Sequence, residues 1–259
     1  MPNAFDITAS RYDDVFTFSN IGKAQRRMVF KYLNPIIYQD KKLSILELNC
    51  GTGEDGIRFS KLGHHVIATD ISEGMITIAK SKTNTVAFKV QDINAITKET
   101  FNTTYDFIFS NFGGFNCLDK NEIQSFFKTA KDLLNPNGKI VLVIMPKHCL
   151  WERLYFTLKG NFKESKRRHT AQSVLVDIGG VNVKTWYHNP KDIESIAKGE
   201  YHINTVKPIG FTIPPSYLEN SIVSKPPFLP IFRWFDSVFT HPFLAKYADH
   251  FLIELTKHK

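Results

Sequence analysis

The chain has 259 residues, 42% of them hydrophobic, which suits one α/β domain with an insertion or at most two domains and excludes global disorder. Its longest unbroken apolar run, Ile140 to Met145, is far too short to span a membrane, and the N-terminus, with Asp6, Asp13 and Asp14, lacks the apolar segment of a secretion signal. A net charge of +8 permits an anionic partner without requiring one, and three cysteines without CxxC spacing (Cys50, Cys117, Cys149) read as reduced thiols of a cytoplasmic protein.

Strands and helices alternate through the first 145 residues. The apolar spacing predicts a helix over Ile21 to Leu33, followed by an apolar strand over Leu43 to Leu48. A helix over Glu54 to Leu62 stops at Gly63, and a strand follows over His65 to Thr69. Ser72 is a good N-cap for a helix to about Lys80. Strands are predicted over Val86 to Val90 and Tyr105 to Ser110. Asp119 and Glu122 have capping-box spacing ahead of a helix to Leu134, and Asn135 to Gly138 is a turn before a strand over Lys139 to Met145. Apolar strands alternating with helices imply a parallel sheet covered on both faces, with ligands beyond the carboxyl ends of its strands.

After Pro146 the pattern loosens. We expect a helix over Leu150 to Lys166, a strand over Val181 to Tyr187, a helix from Asn189-Pro190 to about Lys198 and a strand over Tyr201 to Pro208. A proline-rich stretch with Pro214, Pro215, Pro226, Pro227 and Pro230 precedes a closing strand over His250 to Thr256. The densest basic run, Lys163 to His169, reads as a solvated helix face, with attraction of an acidic substrate as the alternative. Trp151, Tyr155, Trp186 and Tyr217 are either walls of an acceptor pocket or core of this region.

The chemistry is concentrated in Leu43 to Lys80. There a strand ends in an acid, a glycine-rich turn opens a helix, and the next strand ends in Asp70. Gly51 and Gly53 let the backbone approach a ligand and adopt positive φ, and the amides at the helix start offer hydrogen bonds. A carboxylate at the tip of the second strand can accept both hydroxyls of a ribose, so the arrangement points to a nucleoside-containing cofactor. Gly51, Gly53 and Gly56 also match the dinucleotide fingerprint GxGxxG, and Tyr155 and Lys159 have the spacing found in short-chain dehydrogenases. Three features oppose a dehydrogenase: the turn follows a helical N-terminal segment, Glu47 would repel a pyrophosphate, and the Tyr–Lys spacing is ordinary for a helix.

Glu47-Leu-Asn-Cys-Gly-Thr-Gly53 resembles motif I of the class I S-adenosylmethionine-dependent methyltransferases, small-molecule type. Asp70-Ile-Ser-x-x-Met75 resembles their second motif, Gln91-Asp92-Ile93 their third and Tyr105 to Asn111 their fourth; the similarity runs from about Tyr12 to Met145. One departure is Asn49, where the first glycine is usual; asparagine is the side chain that best tolerates positive φ. The resemblance implies a Rossmann-like α/β fold with a mostly parallel seven-stranded sheet, helices on both faces and a cap inserted after strand five. Residues 1–146 form the S-adenosylmethionine-binding core, 147–248 the cap with the sixth strand, and 249–259 the final strand. Glu47, Asn49, Gly51 and Gly53 are then expected at the methionine part of S-adenosylmethionine, Asp70 at the ribose and Asp92 at the adenine amino group. Ile71, Met75 and Ile93 are expected beside the adenine and ribose, and Ser110 and Asn111 beneath the amino-acid moiety. Tyr12 would cover the cofactor and Arg26 pair with its carboxylate. For Asp92 a strand-end N-cap is the competing role, and for Arg26 a surface helix position.

Methyl transfer from a sulfonium is an in-line displacement that needs mainly alignment, with a base where the acceptor carries a proton. His148 and Tyr217 are the base candidates, followed by His169 and His188. The fourth motif continues as Asn111-Phe-Gly-Gly-Phe-Asn116, without the Pro-Pro run of enzymes that modify DNA amines or protein amides. That favours O-, N- or C-methylation of a small molecule, with nucleic acid not the expected partner, no metal and an oligomeric state the sequence does not specify. The alternatives are an NAD-type dehydrogenase, or a non-catalytic cofactor-binding protein that meets nucleic acid through Lys163 to Arg168.

Overall fold

The computed structural model describes residues 4–178 and 180–258. Its main sheet contains β1 (Ser44–Leu48), β2 (His65–Asp70), β3 (Ala87–Val90), β4 (Tyr105–Ser110), β5 (Leu134–Ile144), β8 (Tyr201–Ile209) and β9 (His250–Lys257) in the order β3-β2-β1-β4-β5-β9-β8. The first five strands are parallel; β9 runs antiparallel between β5 and β8. This is the mostly parallel, seven-stranded Rossmann-like sheet that the sequence implies. The order reverses between β1 and β4, so the carboxyl ends of those two strands flank the crevice where such sheets bind ligands.

Alternation along each strand divides the core into two layers. Ile45, Phe107, Phe109, Val141 and Val143 face one side, against α2 (Asn20–Ile37), α3 (Glu54–Lys61) and α4 (Glu73–Lys82). Leu46, Leu48, Ile108, Leu142 and Ile144 face the other, against α5 (Lys120–Leu133) and α7 (Pro190–Ala197). The predicted punctuation recurs in the fold. Ser72 Oγ accepts from the Met75 amide, Asp119 and Glu122 form a reciprocal capping box, and Gly63 ends its helix at φ +89°.

Two local expectations are corrected. The helix predicted over Leu150 to Lys166 is α6 (Leu150–Leu158) only, because Gly160 turns left-handed at φ +70° and a short 3-10 turn follows over Glu164–Lys166. The proline-rich stretch contains an unpredicted helix, α8 (Phe228–Val238); Pro227 at its N-cap and Pro230 in its first turn stand where amides have no intrahelical partner. The N-terminal segment is ordered as α1 (Ala4–Tyr12) and a π-helical turn over Asp13–Thr17. Between residues 147 and 249, β6 (Val174–Ile178) and β7 (Val181–Thr185) form a separate antiparallel hairpin. It touches both α1 and the turn after β4 (Gly114–Cys117). Among the described residues, no helix is long and apolar enough to cross a membrane.

The basic run is not a solvated helix face. Arg168 is buried, donating to Glu152 Oε2 (2.9 Å), to the Asp249 carbonyl (3.0 Å) and to Asp249 Oδ1 (2.9 Å). Arg167 makes two further bonds to the buried Glu152 carboxylate. This ionic cluster fastens α6 to the start of β9.

Candidate functional site

The turn leaving β1 is built on left-handed backbone. Asn49 (φ +53°), Gly51 (φ +54°) and Gly53 (φ +81°) all have positive φ, so the asparagine adopts the conformation its position in the motif demands. A Cβ on Gly53 would lie 2.7 Å from the Phe88 ring, so that residue must be glycine. A Cβ on Gly56 would lie 2.5 Å from Glu47 Oε2, so the third glycine makes room for the buried acid. The Asn49 side chain accepts from Ser110 Oγ (3.2 Å) and fills the space over Gly114, tying the ends of β1 and β4 together.

Asp70 ends β2 with its carboxylate turned back to the turn. Oδ2 accepts from the Gly51 amide (2.9 Å) and Oδ1 from the Ser72 amide (2.9 Å). Burial raises its pKa against the pull of these amides. Glu47 is also held well above the usual carboxylate range, by burial and by the neighbouring Asp55. Its Oε2 is enclosed without a hydrogen-bond partner of good geometry, an acceptor available to a cationic group. Arg26 Nε lies 2.9 Å from Asp55 Oδ1, and Asp55 Oδ2 accepts from Asn111 Nδ2 (2.8 Å). Asp92 caps the short turn Ile93–Ala95 through the Asn94 amide, as its competing role anticipated. Ile71 is exposed beside the site, whereas Met75 and Ile93 are buried.

The N-terminal segment folds over this turn. The Tyr12 ring lies 3.6 Å from where a Cβ on Gly51 would be, and burial pushes its hydroxyl up to about 12. Asp13 accepts from Thr52 Oγ1 (2.6 Å) and pairs with Lys82 (2.5 Å), while Asp6 accepts from the Gly74 amide (2.9 Å) and the Ser72 hydroxyl. Asp6, Thr52 and Asp55 are contributors that the sequence reading missed; short polar side chains beside the motif were the available signal.

An aromatic chain continues from this lid. Tyr12 meets Phe16 (5.7 Å between centroids), Phe16 meets Phe112 (5.1 Å), and Phe112 meets His250 (5.4 Å) edge-on. Phe112 adopts φ +44°, a strained conformation for a bulky residue, and the guanidinium of Arg26 lies 5.3 Å from its ring. His250 heads β9, and its Nδ1 lies 3.2 Å from Asp249 Oδ2. Asp249 is held well below the ordinary carboxylate range: burial would raise it, but His250, Arg168 and Gln25 outweigh burial.

Neither base candidate from the sequence joins this chain. His148 packs at a tilt against His169 (4.8 Å between centroids), where burial and then the neighbouring His169 and Arg153 lower its pKa. Tyr217 packs on Tyr155 (5.6 Å) and Phe156 (5.9 Å). His188 is buried and bonded to the Leu118 carbonyl (3.1 Å). The missed histidine, His250, follows an aspartate at the head of a predicted strand, and that adjacency was its only sequence signal.

The residues present fit a nucleoside cofactor with a cationic end. A tight glycine cradle, an enclosed acid whose Oε2 lacks a well-formed hydrogen bond and a second acid at the tip of β2 converge at the carboxyl ends of β1, β2 and β4. A family model described as a methyltransferase domain matches residues 45–138, which run from β1 into β5. The chain is 33% identical over 111 residues to a malonyl-[acyl-carrier protein] O-methyltransferase of Bacillus anthracis, covering 41% of this chain and 39% of that protein. It is 26% identical over 226 residues to the enzyme of that name from Bacillus cereus, covering 80% of this chain and 78% of the relative. The chain thus spans about two fifths of the length of the first relative. Its fold is shared with magnesium protoporphyrin IX methyltransferase from Synechocystis, solved with bound S-adenosylhomocysteine, at a TM-score of 0.58 and 15% identity over 92% of this chain and 86% of that one. A methyltransferase domain over residues 45–138, and a sheet shared with a methyltransferase solved with bound S-adenosylhomocysteine, are thus what the chain has in common with the class I S-adenosylmethionine-dependent methyltransferases.

Proposed function

We propose that this chain binds S-adenosylmethionine over the Asn49–Gly53 turn and methylates a small-molecule acceptor that carries a proton on oxygen, nitrogen or carbon. The observation that carries this reading is the left-handed glycine turn, lidded by Tyr12 and bonded to Asp70. When bound, S-adenosylmethionine supplies an electrophilic methyl group on a sulfonium whose leaving thioether needs no protonation. Asp70 has lone pairs left for the ribose hydroxyls, and Glu47 faces the ammonium. The Asp55 contact engages only Nε of Arg26, leaving its terminal amino groups for a carboxylate. Asp92 and Ile93 would hold the adenine edge, Ile71 and Met75 the ribose, and Ser110 and Asn111 the amino-acid part. Residues 147–248 act as the cap that shapes the acceptor pocket, a role supported by the contacts of the hairpin with α1 and with the turn after β4.

His250 is the general base in this proposal. Asp249 Oδ2 lies 3.2 Å from Nδ1 without a well-aligned hydrogen bond, and its negative charge favours a proton on Nδ1, which leaves Nε2 to accept one. The similarity to malonyl-[acyl-carrier protein] O-methyltransferases marks a competing case: an acceptor that presents an ionised carboxylate oxygen needs no base. The test is S-adenosylhomocysteine formation with phenols, amines, carbon acids and carboxylic acids as acceptors. His250→Asn should lower turnover of proton-bearing acceptors by about 10²–10⁴-fold while S-adenosylhomocysteine affinity stays the same. Full turnover by that variant would remove the base from the mechanism.

A further inference from the structure

Two helices in contact turn apolar stripes to solvent. In α6, Leu150, Leu154 and Leu158 recur every four residues on one face; Leu158 is 78% exposed, and Phe162 extends the row. In α8, Ile231, Trp234, Phe235 and Val238 are exposed at helical spacing, with Trp234 at 61%, and Phe228, Phe239 and Phe243 extend the apolar surface at its ends. The helices meet through other residues. The Trp151 and Phe232 rings pack edge to face at 5.5 Å, and Thr212 links Trp151 Nε1 to the Phe232 carbonyl. The outward residues are therefore surplus to the core, and contiguous apolar surface of this kind marks an interaction site.

Charge identifies the partner. Along 150–166 the exposed charges are Arg153, Lys159, Lys163 and Lys166, and along 222–246 the only one is Lys225, with Arg233 and Lys246 half-buried. The buried acids of both segments are consumed internally, Glu152 by Arg167 and Arg168 and Asp236 by the Gly210 and Thr212 amides, while the partly exposed Glu164 pairs loosely with Arg167 (3.7 Å). A second copy seated by two-fold symmetry would bring this cationic rim against itself. Aromatic and leucine side chains ringed by cations are the composition of helices that lie in a lipid interface.

We propose that α6 and α8 form a docking face for an anionic lipid surface. Their apolar stripes enter the boundary between headgroups and acyl chains, and their lysines and arginines meet the lipid phosphates. The proposal does not depend on methyl transfer. The test is co-sedimentation of the full chain with phosphatidylcholine vesicles and with vesicles containing phosphatidylglycerol, alongside Trp234 fluorescence. The expected result is binding at least about tenfold stronger to the anionic vesicles, weakened by salt, with a blue shift of the emission. The double variants Ile231→Ser/Trp234→Ser and Leu154→Ser/Leu158→Ser should each lose most of that binding while keeping the parent's S-adenosylhomocysteine affinity and melting temperature. Equal binding to both vesicle types would overturn the proposal. So would binding that survives both double variants, or a concentration-dependent dimer that shields Trp234 without lipid.

Discussion

Asp70→Ala should weaken S-adenosylhomocysteine binding at least tenfold. A carboxylate that takes two ribose hydroxyls contributes about 2–4 kcal/mol, because hydrogen bonds to a charged partner are worth about 1.5–3 kcal/mol each and are partly offset by water. The same substitution also frees the Gly51 and Ser72 amides, so the turn loses its anchor on β2 as well. Calorimetric titration of the folded variant, checked by its melting transition, reads the effect. An affinity equal to that of the parent would place the ribose elsewhere.

The second large effect concerns stability. Arg168 is the cation between two buried acids, Glu152 and Asp249. Arg168→Met would leave both acids short of their partner, and breaking a buried pair in this way costs about 3–5 kcal/mol. The sign of the pH dependence follows from Asp249, whose folded pKa lies below its unfolded value. Its contribution is fully present above the unfolded value of about 3.9 and is lost as pH falls through the folded value. Urea unfolding should therefore show a gap of several kcal/mol between parent and variant at neutral pH. The gap should narrow as pH falls below about 4, where protonated acids no longer need the arginine. A variant as stable as the parent at neutral pH would show that Arg168 is a surface residue after all.

The core of the fold was legible because its signals are local. The strands His65–Asp70, Tyr105–Ser110 and His250–Lys257 lie within a residue of their predicted bounds, since apolar runs between capping residues suffice to mark them. The glycine turn was legible for the same reason, down to Asn49 taking a left-handed conformation. The misses are tertiary. Helix α1 has little apolar pattern of its own and docks through Asp6 onto Ser72 and Gly74, far away in sequence. Arg168 looked solvated because its acidic partners, Glu152 and Asp249, lie on other elements. His250 was hidden because its significance comes from Phe112, which reaches it only after the sheet has formed. Helix α8 was obscured by prolines that sit where a helix start tolerates them.

If the Asn49–Gly53 turn, Asp70 and the Tyr12 lid form an S-adenosylmethionine site, isothermal titration of the full chain should show saturable binding of S-adenosylhomocysteine and none of NADH. Binding of NADH as tight as or tighter than that of S-adenosylhomocysteine would rule the site out.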